Sequence, residues 1–138
     1  MLRAMKRWLL FLSSIWASAA FAHHSFASIY DSDRSITLDG VVSEFRFVHP
    51  HPILVIDVSP AESWRAEMDN RFELADIGVT AQTFKAGDRV RVTGSPGRAE
   101  PRILYLWKLE RASDGLRYEQ IGSTPHIHWP ERASPKPP

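Results

Sequence analysis

The chain contains no cysteine among its 138 residues. Disulfides and thiolate metal sites are therefore excluded, and any metal chemistry must use histidine, carboxylates or the chain's amino terminus. Catalytic signatures are also missing. No serine stands in a G-x-S-x-G setting, no glycine-rich loop is built to cradle phosphate, and the aspartates show no paired-carboxylate spacing. Asp31-x-Asp33 begins like a calcium loop, but the glycine and the later glutamate that such a loop needs are absent. No catalytic constellation is recognisable, so the chain reads as a binding protein rather than an enzyme.

Long apolar runs are lacking except at the start. Arg3, Lys6 and Arg7 precede an apolar stretch at 8–19, and Ala20-x-Ala22 supplies a small-residue cleavage site. This is the pattern of a secretory signal peptide at 1–22, cleaved after Ala22. The apolar stretch is too short to span a bilayer comfortably, so no membrane anchor is expected after cleavage, and the mature chain is expected to be periplasmic or secreted. The three basic residues of the signal belong to the 17 Lys and Arg, and none of the 16 acidic residues lies there. The cleaved chain thus carries 14 basic against 16 acidic groups, a net charge of −2. Such a balance does not favour nucleic-acid binding. The remaining 116 residues suffice for one small core.

The strand signals come in an order that suggests a barrel. Over 36–48, Ile36, Leu38, Gly40 and Val42 alternate in one phase, and Val41, Ser43, Phe45 and Phe47 in the other. A phase switch beside Gly40 predicts a bulge or sharp bend. Pro50 and Pro52 end this strand. A second strand is expected at 53–58 and a third at 64–68. Asn70 and Glu73 form a capping box for a short helix at 71–77, which Gly78 stops. A strand at 89–93 follows, then a turn at 94–97 and a strand at 102–110. Asp114-Gly115 turns the chain into a last short strand at 116–121. Three strands, a helix and two more strands predict an all-β fold: a five-stranded OB-like Greek-key barrel at 23–122, with the helix between strands three and four. Residues 123–138, rich in proline and serine, read as a flexible tail.

All six histidines fall in three pairs, His23-His24, His49-x-His51 and His126-x-His128. Cleavage after Ala22 places a free α-amine beside two imidazoles. That nitrogen-rich corner suits copper(II), the most tightly bound divalent ion of its row, ahead of zinc or nickel. His49 and His51 sit at a strand end, where residues two apart project to one side, and His51 or His49 could complete the set. The plain alternative is a proline-stiffened loop with rings packed locally. His126 and His128, in the expected tail, read as bystanders. Arg89, Arg91, Arg98 and Arg102 could form a basic stripe, although arginines alternating on a strand commonly make a solvated face. Trp64, Tyr105 and Trp107 read as core or rim residues.

Together these motifs resemble a widespread family of small exported bacterial proteins known only as a domain of unknown function. The resemblance rests on His23-His24-Ser25-Phe26, on Thr37-Leu38-Asp39-Gly40-Val41-Val42, and on His49-Pro50-His51 before Ile53-Leu54-Val55. It also includes Lys85-Ala86-Gly87-Asp88 running into Val90, Val92 and Gly94, and covers residues 23 to about 122. His49 departs from the family's asparagine, whereas His51 matches its histidine and is the better candidate ligand. The resemblance implies a periplasmic OB-like domain and no established activity. The expected function is metal binding, with copper foremost, through His23, His24 and His51, with His49 as a further candidate. One alternative is an envelope module that binds a peptide, protein or oligosaccharide without metal. A second is a copper-dependent oxidase or oxygenase.

Overall fold

The computed structural model describes residues 26–130; the segment 1–22, His23, His24 and residues 131–138 lie outside them. The elements are β1 (Ile36–Arg46), β2 (Ile53–Ser59), β3 (Glu62–Glu67), α1 (Arg71–Asp76), β4 (Arg89–Pro96), β5 (Ile103–Arg111), β6 (Arg117–Ile121) and β7 (Thr124–His128). Strand order in the sheet is β3-β2-β1-β4-β5-β6-β7, and β3 also pairs with β5. That extra pairing is parallel, Arg65 to Ile103 and Glu67 to Tyr105, and it closes the first five strands into a barrel. This is the OB arrangement, with its helix between β3 and β4 as the strand order predicts.

Closure is made possible by one-residue bulges, which bend a strand and raise its twist. β1 pairs with β4 through Ile36–Val41 and with β2 through Val41–Arg46. Its register slips between Val42 and Glu44, so Ser43 is the extra residue. The phase switch seen in the sequence is therefore real but falls three residues beyond Gly40. A second slip makes Trp107 the extra residue of β5, because Thr93 pairs with Lys108 while Gly94 pairs with Leu106.

The barrel interior is apolar, with Val42, Leu54, Ile56, Val92, Leu104 and Leu106 all buried. Helix α1 contributes Leu74 to this core. Asn70 caps the helix by accepting a hydrogen bond from the Glu73 N–H at 2.9 Å, and Gly78 leaves it in the left-handed region at φ 90°.

Two expectations are corrected. The turn expected at 94–97 is strand as far as Pro96, because β4 must continue alongside Leu104 and Tyr105. The tail expected from 123 instead turns back at once, and Thr124–His128 pairs with β6 along its whole length. Its composition is polar, yet Pro125 is buried and Ile127 packs against the main core. That burial holds the strand in place.

A second apolar cluster lies outside the barrel. Tyr30, Ile103 and Tyr105 are buried together, with Phe26 and Trp107 packed against them. The segment 26–35 makes this cover. Tyr30 bridges to Gly97, Asp31 N–H donates to the Pro96 carbonyl at 2.8 Å, and Arg98 N–H donates to the Ile29 carbonyl at 2.8 Å.

Candidate functional site

The loop between β1 and β2 carries His49 and His51, and it is fastened to the junction of β3 and α1. Met68 N–H donates to the Pro52 carbonyl at 2.9 Å, and Arg71 N–H donates to the Pro50 carbonyl at 3.0 Å. The two histidines have different surroundings. His51 is partly buried, with Nδ1 3.2 Å from the Met68 carbonyl oxygen. A carbonyl only accepts, so this contact puts the proton on Nδ1 and leaves the Nε2 lone pair available. Metal-binding histidines are commonly oriented through the second ring nitrogen in this way.

His49 is engaged differently. Its Nε2 accepts from the Arg71 guanidinium at 2.8 Å, and its ring lies 4.6 Å from that of Phe72. Arg71 also donates from Nε to the Phe47 carbonyl at 3.0 Å and sits over the Phe47 ring. The guanidinium thus ties His49 into a local cluster and occupies the nitrogen that a metal would need. Asp69, next to Met68, is likewise taken. One carboxylate oxygen accepts from the Asn70 N–H at 2.6 Å and the other from the Gln120 side-chain amide at 2.5 Å.

The segment 26–30 relates this loop to the chain's start. Ile53 pairs with Glu67, and Glu67 pairs with Tyr105. Phe26 packs on Tyr105 at 5.0 Å and on Trp107 at 5.9 Å between ring centroids. Phe26 thus sits over Tyr105 and Trp107 of β5, one helical turn before Tyr30. Tyr30 donates to Glu67 at 2.7 Å. Burial, then the bond and charge of Glu67, push its phenol pKa well above the ordinary value.

Of the six histidines, His23 and His24 lie outside the described residues, while His49 and His51 flank Pro50. His126 and His128 stand on β7. Among the described residues no three His, Asp or Glu side chains stand ready as a ligand set. Of the arginines that could make a basic stripe, Arg91 is paired with Asp39 at 2.8 and 3.0 Å. Arg98 pairs with Asp31 and donates to the Ala27 carbonyl, so it secures the segment 26–31. Trp107 is not a core residue. It lies half-buried on the outer face and donates to Ser95 at 2.7 Å. The roles of the Met68 carbonyl and Arg71 were not visible in the sequence, since both depend on how the loop folds against the helix start.

The closed five-strand topology with its inserted helix defines an OB-type barrel, extended here by a hairpin. The chain belongs to a family of unknown function, DUF6152, which matches residues 12–103. No curated protein matches it. Among solved structures, a chain of the crystal structure of the S. pombe Stn1-ten1 complex is similar at 17% identity and a TM-score of 0.49. The similarity covers 59% of this chain and 60% of that one.

Proposed function

We propose that this protein is an exported, periplasmic metal-binding module that holds copper through the His23 α-amine, His23 or His24, and Nε2 of His51. The observation that carries the reading is the His51–Met68 contact, which fixes the imidazole with one nitrogen left for a ligand. His49 belongs to the support of the loop through Arg71, and the nearby guanidinium disfavours a cation there.

Titration of the cleaved protein with copper(II) tests this. One equivalent is expected to bind through nitrogen ligands, and binding should weaken as pH falls, because amine and imidazole must be free of protons to coordinate. His51→Ala should weaken binding without unfolding the domain. A form whose α-amine is blocked by a longer N-terminal extension should bind far more weakly. Equal affinity in the blocked and free forms would remove the terminal chelate. The metal-free alternative, an envelope module with a macromolecular partner, draws on Phe72 and Val48, which are 69% and 46% exposed at the loop–helix end of the barrel.

A further inference from the structure

The connection from α1 to β4 and the chain just after β7 meet at an open depression of about 500 Å³. That volume lies within the range of about 300–1,000 Å³ usual for small-ligand sites. Trp129 forms one wall. Gly78 brings bare backbone against its indole, since a Cβ there would lie 3.3 Å from Cζ2 and 3.8 Å from Nε1. The indole nonetheless stays 47% exposed. The rest of the lining is polar and includes Thr80, Gln82, Thr83, Lys85, Asp88 and Arg111. Hydrogen bonds hold this rim in one shape. Thr83 Oγ1 accepts from the Thr80 N–H at 2.8 Å, and Thr80 Oγ1 accepts from the Gln82 N–H at 3.2 Å, so residues 80–83 form a tight turn. Arg111 donates to the Thr83 carbonyl at 2.6 Å and to Asp88 Oδ2 at 3.0 Å, which ties that turn to the start of β4. Several polar groups remain available. The Gln82 amide and the Lys85 ammonium are exposed, and neither bonds to a described residue. Asp88 uses only Oδ2, and the Thr80 hydroxyl still has its proton to donate.

We propose that this depression binds an uncharged pyranose sugar, its C–H face stacked on Trp129 and its hydroxyls bonded by the polar rim. An indole face is electron-rich and attracts the polarised C–H groups that a sugar ring presents when its hydroxyls are equatorial. Sugar hydroxyls both donate and accept. That suits a lining which offers a carboxylate oxygen beside amide, ammonium and hydroxyl donors. The charges also favour a neutral ligand. Lys85 and Arg111 are offset by Asp88 and Asp114, and both of these carboxylates pair with Arg111. A phosphate would meet Asp88, and a metal ion would meet Lys85 and Arg111. The site shares no residue with His23, His24 or His51, so it stands apart from the metal reading.

Titration of the cleaved protein with two glucose-configured sugars, cellotriose and triacetylchitotriose, tests the proposal, with a chelator present to keep metal out. At least one of them should bind in the millimolar range and shift the Trp129 indole N–H resonance in NMR spectra. Trp129→Ala should weaken that binding by more than about tenfold, as truncating an aromatic anchor does, and Trp129→Phe should weaken it less. Gln82→Ala should weaken it severalfold, and His51→Ala should leave it unchanged. The Gln82 side chain is exposed and bonds to no described residue, so that variant should melt with the parent. No shift of the Trp129 resonance with either sugar would overturn the site. Unchanged affinity in Trp129→Ala, or shifts confined to Trp64 and Trp107, would overturn it equally. Binding of an acidic trisaccharide, trigalacturonate, with neither neutral sugar bound would overturn the neutral-sugar assignment.

Discussion

Single residues carry much of this fold's geometry. Gly94 sits where β4 meets the bulge of β5. A Cβ added there would overlap the Tyr105 carbonyl oxygen and come within 2.6 Å of Leu104 Cδ1. Backbone cannot yield as a flexible side chain can, so Gly94→Ala forces the two strands apart where the bulge turns. Overpacking of this kind costs roughly 1–3 kcal/mol, which should lower the melting temperature by about 4–20 °C in a domain of this size. A melt within a degree of the parent would show that the strands separate there without penalty. The histidines teach a related lesson. His49 and His51 are equivalent in the sequence as strand-end imidazoles two apart, yet one meets a carbonyl and the other a guanidinium. Hydrogen-bond partners from a distant element decide which of them keeps a lone pair, and no local spacing reveals that.

Among the elements, those whose cause is local were legible in the sequence. The Asn70 cap gave the helix within a residue, because the cap and the N–H it accepts from are three positions apart. The expected return bond from Glu73 is replaced by Asp69, which takes the Asn70 N–H. β2 declared itself by its β-branched run. The β7 strand was hidden because its polar, proline-bearing sequence owes its order to pairing with β6 and to the burial of Pro125. The segment 26–30 was hidden for a similar reason. It has no periodicity of its own and is held by aromatic packing on β5 and by Arg98. That segment should behave as a separate unit with low local stability. Phe26→Ala removes the ring that packs on Tyr30, Tyr105 and Trp107 but leaves the barrel interior untouched. Proteolysis near 26–30 should accelerate while the barrel stays folded, its melt falling by about 4–14 °C for a loss of about 1–2 kcal/mol of half-buried aromatic area. Global unfolding of Phe26→Ala would mean that the outer cluster belongs to the main core.

At the scale of the whole molecule, the barrel was legible because strand number, the position of the helix and one bent first strand together leave few closed arrangements. The candidate site was legible only in part, since two of its proposed residues, His23 and His24, lie outside the described residues and the third, His51, is set apart from His49 by a tertiary contact. One global property follows from where the tyrosines lie. The chain has three, Tyr30, Tyr105 and Tyr118, and all are buried. Burial is the leading cause that pushes each phenol well above its ordinary pKa, with nearby carboxylates adding to it: Glu67 at Tyr30, Asp69 and Glu67 at Tyr105, Asp69 at Tyr118. A phenol whose pKa is raised by folding contributes stability that is fully present below the unfolded value, about 10. That stability declines as pH climbs past 10 toward the folded value, because only the unfolded chain releases the proton in that range. The folded protein should therefore show almost no tyrosinate absorbance between pH 9 and about 11, and tyrosinate should then appear together with loss of the barrel's circular dichroism. Three linked groups make the alkaline transition steeper than one would. Independent titration of any tyrosine near pH 10 with the barrel intact would show that its ring reaches solvent. At Tyr30 or Tyr105 this would mean that the segment 26–30 lifts from β5 while the strands beneath stay closed.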